Sequence, residues 1–107
     1  KRDSMKAYVD DGSLYLVPET DMVASRIEEL RDFFLEQLKH HPDDKEVVFD
    51  ADNVDIVDSL GVNLIIGVYR QVTSESKEFK VVNAGDNFMK IANFFRFPSI
   101  FSIEGGD

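Results

Sequence analysis

Cysteine and tryptophan are absent from this 107-residue chain, and proline occurs only three times. Without cysteine there is no disulfide framework, no thiol nucleophile and no thiolate metal site. No apolar run approaches the roughly 18 residues of a membrane span, and no signal-peptide pattern opens the chain. Basic residues are scarce: 12 Lys and Arg stand against 21 Asp and Glu, a formal charge of −9. A field of that sign repels phosphate backbones and anionic lipid, which argues against nucleic acid or a membrane as partner. A protein with a basic face fits better. Glycine-rich phosphate loops, G-x-S-x-G elbows, internal repeats and low-complexity tracts are missing too.

What remains is globular in composition, with 43% hydrophobic and 11% aromatic residues. That suffices for one core, so residues 1–107 read as a single domain. Residues 1–4 are expected to be a cloning remnant or linker, with Met5 a candidate native start, and 104–107 a loose tail. The absence of cysteine is compatible with a cytoplasmic setting.

Patterning gives an alternation of strands and helices. "KAYV" and "SLYLV", within Lys6 to Val17, read as a hairpin turned by Asp11-Gly12, and Pro18 ends the second strand. Val23, Ile27, Leu30, Phe34 and Leu38 recur at helical steps, so a helix is expected from Thr20 to His40, capped by Thr20 or Asp21 and stopped by Pro42. "EVVFDA", Glu46 to Ala51, is a short apolar run suited to a central strand buried on both faces. Leu60, Leu64, Ile65, Val68 and Val72 predict a second helix over about Ser59 to Ser74. "FKVVNA", Phe79 to Ala84, is another strand, and Asp86 is placed to cap a third helix bearing Phe88, Ile91, Ala92 and Phe95. "SIFSI", Ser99 to Ile103, reads as a short last strand. The fold class is α/β: a four- to five-stranded, mostly parallel sheet with an N-terminal antiparallel hairpin and about three helices.

Candidate chemistry centres on two places. "VVFDADNV", Val47 to Val54, resembles the nucleophile motif of haloacid-dehalogenase-like phosphatases, with Asp50 as nucleophile and Asp52 as acid beside Mg²⁺. The later Lys and acidic pair of such enzymes are not matched, and both aspartates also suit a solvent-facing strand end. Asp50, Asp52, Asp55 and Asp58 lack the Gly and distal Glu of an EF-hand, and His40-His41 suits a solvated helix end. No cofactor, metal site or catalytic residue is assigned, and the chain is expected not to be an enzyme.

The second place is "IVDSLGVNLIIG", Ile56 to Gly67. Either Asp58 or Ser59 would cap the helix that follows, at about 1 kcal/mol. Three features suggest more. The pair follows a central strand, where parallel sheets place functional loops. Gly61 costs the helix about 1 kcal/mol against Ala, so a close approach is expected there. Val62, Asn63, Ile66 and Arg70 fall on the side of Ser59, and Val62 with Ile66 would make an apolar docking face beside it.

The stretch "VVFDADNVDIVDSLGVNLIIGVYRQV", Val47 to Val72, resembles the central strand and helix of the STAS family, the sulfate transporter and anti-sigma-factor antagonist domains. The order of elements is similar along nearly the whole chain. Leu60 departs from the second small or hydroxylated residue common in antagonists. "PETD", Pro18 to Asp21, replaces a Gly-Glu-Leu-Asp-like turn, and Arg96-Phe97 stands where Gly-Leu is common. In the bacterial antagonist branch, the resemblance implies, Ser59 is the phosphoacceptor and Asp58, Leu60, Gly61, Val62, Asn63 and Ile66 form the motif and partner-binding surface. The implied partners are a serine kinase that is also an anti-sigma factor and a PP2C-type phosphatase. ATP and Mg²⁺ would belong to the kinase. Two alternatives stand: a STAS scaffold or regulatory domain with Ser59 only a cap, and the Mg²⁺-dependent phosphatase using Asp50 and Asp52. A small-ligand sensor has no glycine-rich or aromatic-basic cluster behind it.

Overall fold

Asp11 and Gly12 both take positive φ, 49° and 82°. Two such residues in succession make the tight turn whose twist matches a hairpin, and Asp10 pairs with Ser13 across it. The turn joins strands β1 (Met5–Asp10) and β2 (Ser13–Pro18), which pair antiparallel. These belong to a computed structural model that describes residues 5–106. Residues 1–4, expected to be remnant or linker, lie outside the described residues, as does Asp107.

After β2 come helix α1 (Ala24–His40), strand β3 (Glu46–Asp50), helix α2 (Ser59–Ser74), strand β4 (Glu78–Ala84), helix α3 (Asp86–Phe94), a 3₁₀ turn at Phe97–Ser99 and strand β5 (Ser102–Gly105). The sheet order is β1-β2-β3-β4-β5, with every pair after the first parallel. Each crossover steps one strand in the same direction. Right-handed connections of that kind place all three helices on one face of the sheet. Leu14, Leu16, Val47, Phe49, Phe79 and Val81 point to that face and join the helices in one core. Val17 and Val48 are buried but stand outside it, on the opposite face. There Val48 lies in a cross-strand row with Tyr15 and Lys80, and Tyr15 stacks on Tyr8 at 4.8 Å.

Several expectations shift. α1 begins at Ala24, not Thr20, and Val23 precedes it with no side-chain cap; Asp21 is engaged elsewhere, as shown below. In α2 the buried set is Gly61, Val62, Leu64, Ile65, Val68 and Val72, so Leu60 leaves the core stripe and is exposed. Gly85 rather than Asp86 holds the cap position of α3, and Phe95 lies past its end, exposed, while Phe97 fills the core instead. The last strand runs Ser102–Gly105 rather than Ser99–Ile103. Phe97 and Phe101 pack against each other at 5.1 Å, which holds the segment between them as a turn. The tail expected to be loose is paired as far as it is described: Glu104 and Gly105 belong to β5, and the Gly106 N–H donates to the Ala84 carbonyl at 3.0 Å.

Candidate functional site

The loops leaving the C-terminal ends of β2 and β3 run side by side before their helices begin. Met22 and Val57 form an isolated parallel bridge between them. The Met22 N–H donates to the Ile56 carbonyl (2.9 Å), and the Asp58 N–H donates to the Met22 carbonyl (3.1 Å). Asp21 Oδ1 accepts the N–H groups of Asp55 and Ile56, each at 3.1 Å. This is why Asp21 does not cap α1. Its carboxylate is spent on the neighbouring loop.

Asp58 completes the junction. Its Oδ1 accepts from the Leu60 and Gly61 N–H groups, both at 3.0 Å, as the N-cap of α2. Its Oδ2 accepts from the Ala24 N–H at 2.9 Å, the first residue of α1. One carboxylate thus caps two helices. The Gly61 hydrogen bond, with those from Ala24 and Leu60, holds its pKa below the usual carboxylate value against an opposing desolvation. Asp58, not Ser59, is therefore the cap that the sequence left open.

Ser59 is the first residue of α2 and is exposed. Among the described residues its hydroxyl makes no hydrogen bond. Beside it Leu60 is 46% exposed, Asn63 is exposed and Ile66 is half-buried. Gly61 is buried, since a Cβ on it would overlap the Met22 carbonyl oxygen and come within 2.8 Å of Val57 Cγ1. That close approach accounts for a glycine inside a helix.

Val62 corrects the expected docking face. It is only 6% exposed and belongs to the core. The apolar neighbour of Ser59 that sequence reading missed is Ile56, 54% exposed. In this loop Val54 and Val57 are buried, and Asp55 and Ile56 between them are both exposed. No local pattern carried that signal, since alternation counted from Val54 would have turned Ile56 inward. A shallow hollow of about 210 Å³ lies on this side, lined by Ile56, Asn87, Lys90 and Ile91, and Asn87 Nδ2 donates to Asp55 Oδ1 at 2.8 Å.

The alternative phosphatase pair is arranged differently. Asp50 Oδ1 accepts from the Asp52 N–H (3.0 Å) and Asn83 Nδ2 (3.1 Å), while Asp52 is exposed. Among the described residues no three His, Cys, Asp or Glu gather closely enough to hold a metal ion. Nor, among them, is any helix long and apolar enough to cross a membrane.

The chain is a one-sheet α/β domain with all helices on one face and an exposed serine at a strand-to-helix junction. The STAS domain family model matches residues 4–105, and the chain belongs to that family. Solved structures agree in fold. An anti-sigma factor antagonist from Mycobacterium paratuberculosis superposes with a TM-score of 0.82 at 15% identity, over 94% of this chain and 83% of that one. The Bacillus cell-fate determinant SpoIIAA, in its phosphorylated form, gives 0.69 at 13% identity, over 92% and 89%. A sulfate transporter family protein from Wolinella succinogenes gives 0.71 at 12%, over 91% and 80%. No curated protein matches the sequence significantly.

Proposed function

We propose that the chain is a phosphorylation-switched protein-binding module of the anti-sigma-factor antagonist type, with Ser59 as acceptor. The observation that carries this is the division of labour at the junction. Asp58 does the capping, so the Ser59 hydroxyl is exposed and unengaged among the described residues. A serine needed only to start a helix would be making that bond itself. The unmodified surface of Ser59, Leu60, Asn63 and Ile56 binds a kinase that is also an anti-sigma factor. A PP2C-type phosphatase resets the serine. The module works in the cytoplasm and has no catalytic activity of its own.

Electrostatics gives the switch its sign. Phosphate adds about −1.5 to −2 charge. The nearest helix donors, the Leu60 and Gly61 N–H groups, are already taken by Asp58, which stays ionised because its pKa is lowered. The new dianion is therefore left facing outward beside exposed Leu60 and Ile56. A partner covering those residues would have to desolvate it next to a second negative charge. A penalty of a few kcal/mol lowers affinity by orders of magnitude.

Phosphopeptide mass spectrometry on the protein from its own cells, in growth and in stress, tests the reading, with Ser59→Ala beside it. Phosphate on the peptide spanning Ser59, varying with condition and absent from the variant, is the expected result. An unmodified peptide in every condition would make the scaffold reading the better one.

A further inference from the structure

The two outer strands of the sheet differ. β5 is four residues long, and its ladder to β4 shifts register between Val81 and Ala84. A short, irregular edge offers another strand little to pair with. β1 has six residues, pairs with β2 without a break from Met5 to Asp10, and contains no proline. Among the described residues no strand covers its outer side. Tyr8 and Val9, near its middle, are 49% and 45% exposed. A regular edge of that kind is a template for a further strand.

The hairpin decides which backbone groups face outward. Asp10 and Ser13 close the two-residue turn at Asp11-Gly12, and a pair in that position exchanges both of its hydrogen bonds. Alternation then commits Lys6 and Tyr8 to β2 and leaves the N–H and C=O groups of Ala7 and Val9 pointing out of the sheet. Side chains alternate too. Lys6, Tyr8 and Asp10 share the face that has no helices, and Ala7 and Val9 lie on the other, beside Leu16 and Leu14.

This strand is complementary to itself. Laid antiparallel on a second copy about a two-fold axis at Tyr8, it sets Lys6 of each copy against Asp10 of the other. Ala7 and Val9 then meet across the axis and exchange their outward hydrogen bonds. The two Tyr8 rings face each other in the closer, non-hydrogen-bonded kind of pair, and each already stacks on its own Tyr15 at 4.8 Å. Moving the axis to Ala7 or to Val9 sets Tyr8 opposite Lys6 or Asp10 and breaks both charge pairs. Lys6 also meets Glu19 at 3.1 Å, but its side chain is 66% exposed and open to a second acid. Asp10 has no ion pair among the described residues.

We propose that β1 is a dimerisation edge, on which two copies of this chain join antiparallel about Tyr8 and merge their five-stranded sheets into one. The axis passes through the sheet, so the copies point opposite ways and their Ser59 junctions lie at opposite ends of it. The dimer is then a bivalent form of the domain. The inference goes beyond the phospho-switch and does not depend on it.

A net charge of −9 on each copy opposes association, and a single strand pair is a small interface. A dissociation constant on the order of 0.1 mM is therefore expected. Sedimentation equilibrium of the full chain, at an ionic strength of about 0.15 M to screen that repulsion, should show a monomer–dimer equilibrium. Lys6→Asp and Asp10→Lys each bring like charges together twice per dimer, and each should weaken it about tenfold or more. Both side chains are exposed, so Tm should change little. Mixed together, the two variants should associate at least as well as wild type, because every opposed pair is then an acid against a lysine. Amide exchange at Ala7 and Val9 should slow as concentration rises. A monomer at every concentration up to about 1 mM, a dimer indifferent to either substitution, or variants that stay apart when mixed overturns the proposal. Slowed exchange in β5 in place of β1 gives the contact to the other edge and overturns it as well.

Discussion

The α-carbon of Gly61 faces the carbonyl oxygen of Met22 so closely that no side chain fits between them; a Cβ there would also stand 2.9 Å from Met22 Cβ. The obstacle is backbone, and that backbone is held by hydrogen bonds to Ile56 and Asp58. It cannot swing aside without breaking the bridge between the two loops.

Gly61→Ala should therefore destabilise the protein by about 1–3 kcal/mol, the range of an overpacked core. Gly67→Ala, six residues on in the same helix, should stabilise by up to about 1 kcal/mol. Guanidinium melts of the two variants check this. Equal shifts in the same direction would contradict the close approach.

Asp58→Ala removes the cap of both helices and should cost about 1–2 kcal/mol at neutral pH. The pH dependence has a definite sign. The folded pKa of Asp58 is lowered, so its contribution is complete above the ordinary carboxylate range and lost as pH falls through the folded value. The Tm gap between wild type and Asp58→Ala should close progressively below about pH 4. Asp58→Asn keeps one acceptor oxygen for two sets of donors, so it should fall between the two. A gap constant down to pH 2 would show that the carboxylate charge is irrelevant.

Val62 and Asn63 separate core from surface. Val62→Ala should destabilise by about 2 kcal/mol through a cavity, whereas Asn63→Ala should stay within about 0.5 kcal/mol. Thermal melts decide, and the reverse order would return Val62 to the docking face.

Arg96 takes φ 62°, a left-handed conformation, at the start of the Phe97–Ser99 turn. An L-residue pays about 1–2 kcal/mol there. Arg96→Gly should thus raise Tm by a few degrees, even though glycine gains freedom in the unfolded chain. Arg96→Ala should not.

Periodicity carried the architecture: the Asp-Gly hairpin, β3, β4 and the three helices are each local patterns, and the family resemblance through Val47 to Val72 holds. What local pattern could not resolve is where tertiary partners intervene. In α2, residues 60, 62, 64, 65, 66 and 68 are all apolar, more than one stripe can bury, so spacing alone could not tell that Val62 turns in and Leu60 out. Asp21 looked like a cap because caps and loop-to-loop acceptors use the same residue type. The choice between Asp58 and Ser59 required the Ala24 N–H from another element. Ile56 carried no local signal, because alternation counted from buried Val54 would have turned it inward.

The bond from Ala24 to Asp58 spans 34 positions of chain. As the protein leaves the ribosome, all of α1 emerges before the carboxylate that completes its first turn exists outside the tunnel. The cap of α1 can be completed only once the loop after β3 is in place, the same loop that caps α2. Such a late, long-range closure ties the rate of folding to one loop-to-loop encounter. The junction that displays Ser59 thus depends on two loops meeting, so the serine is presented by a tertiary contact and not by a preformed helix end.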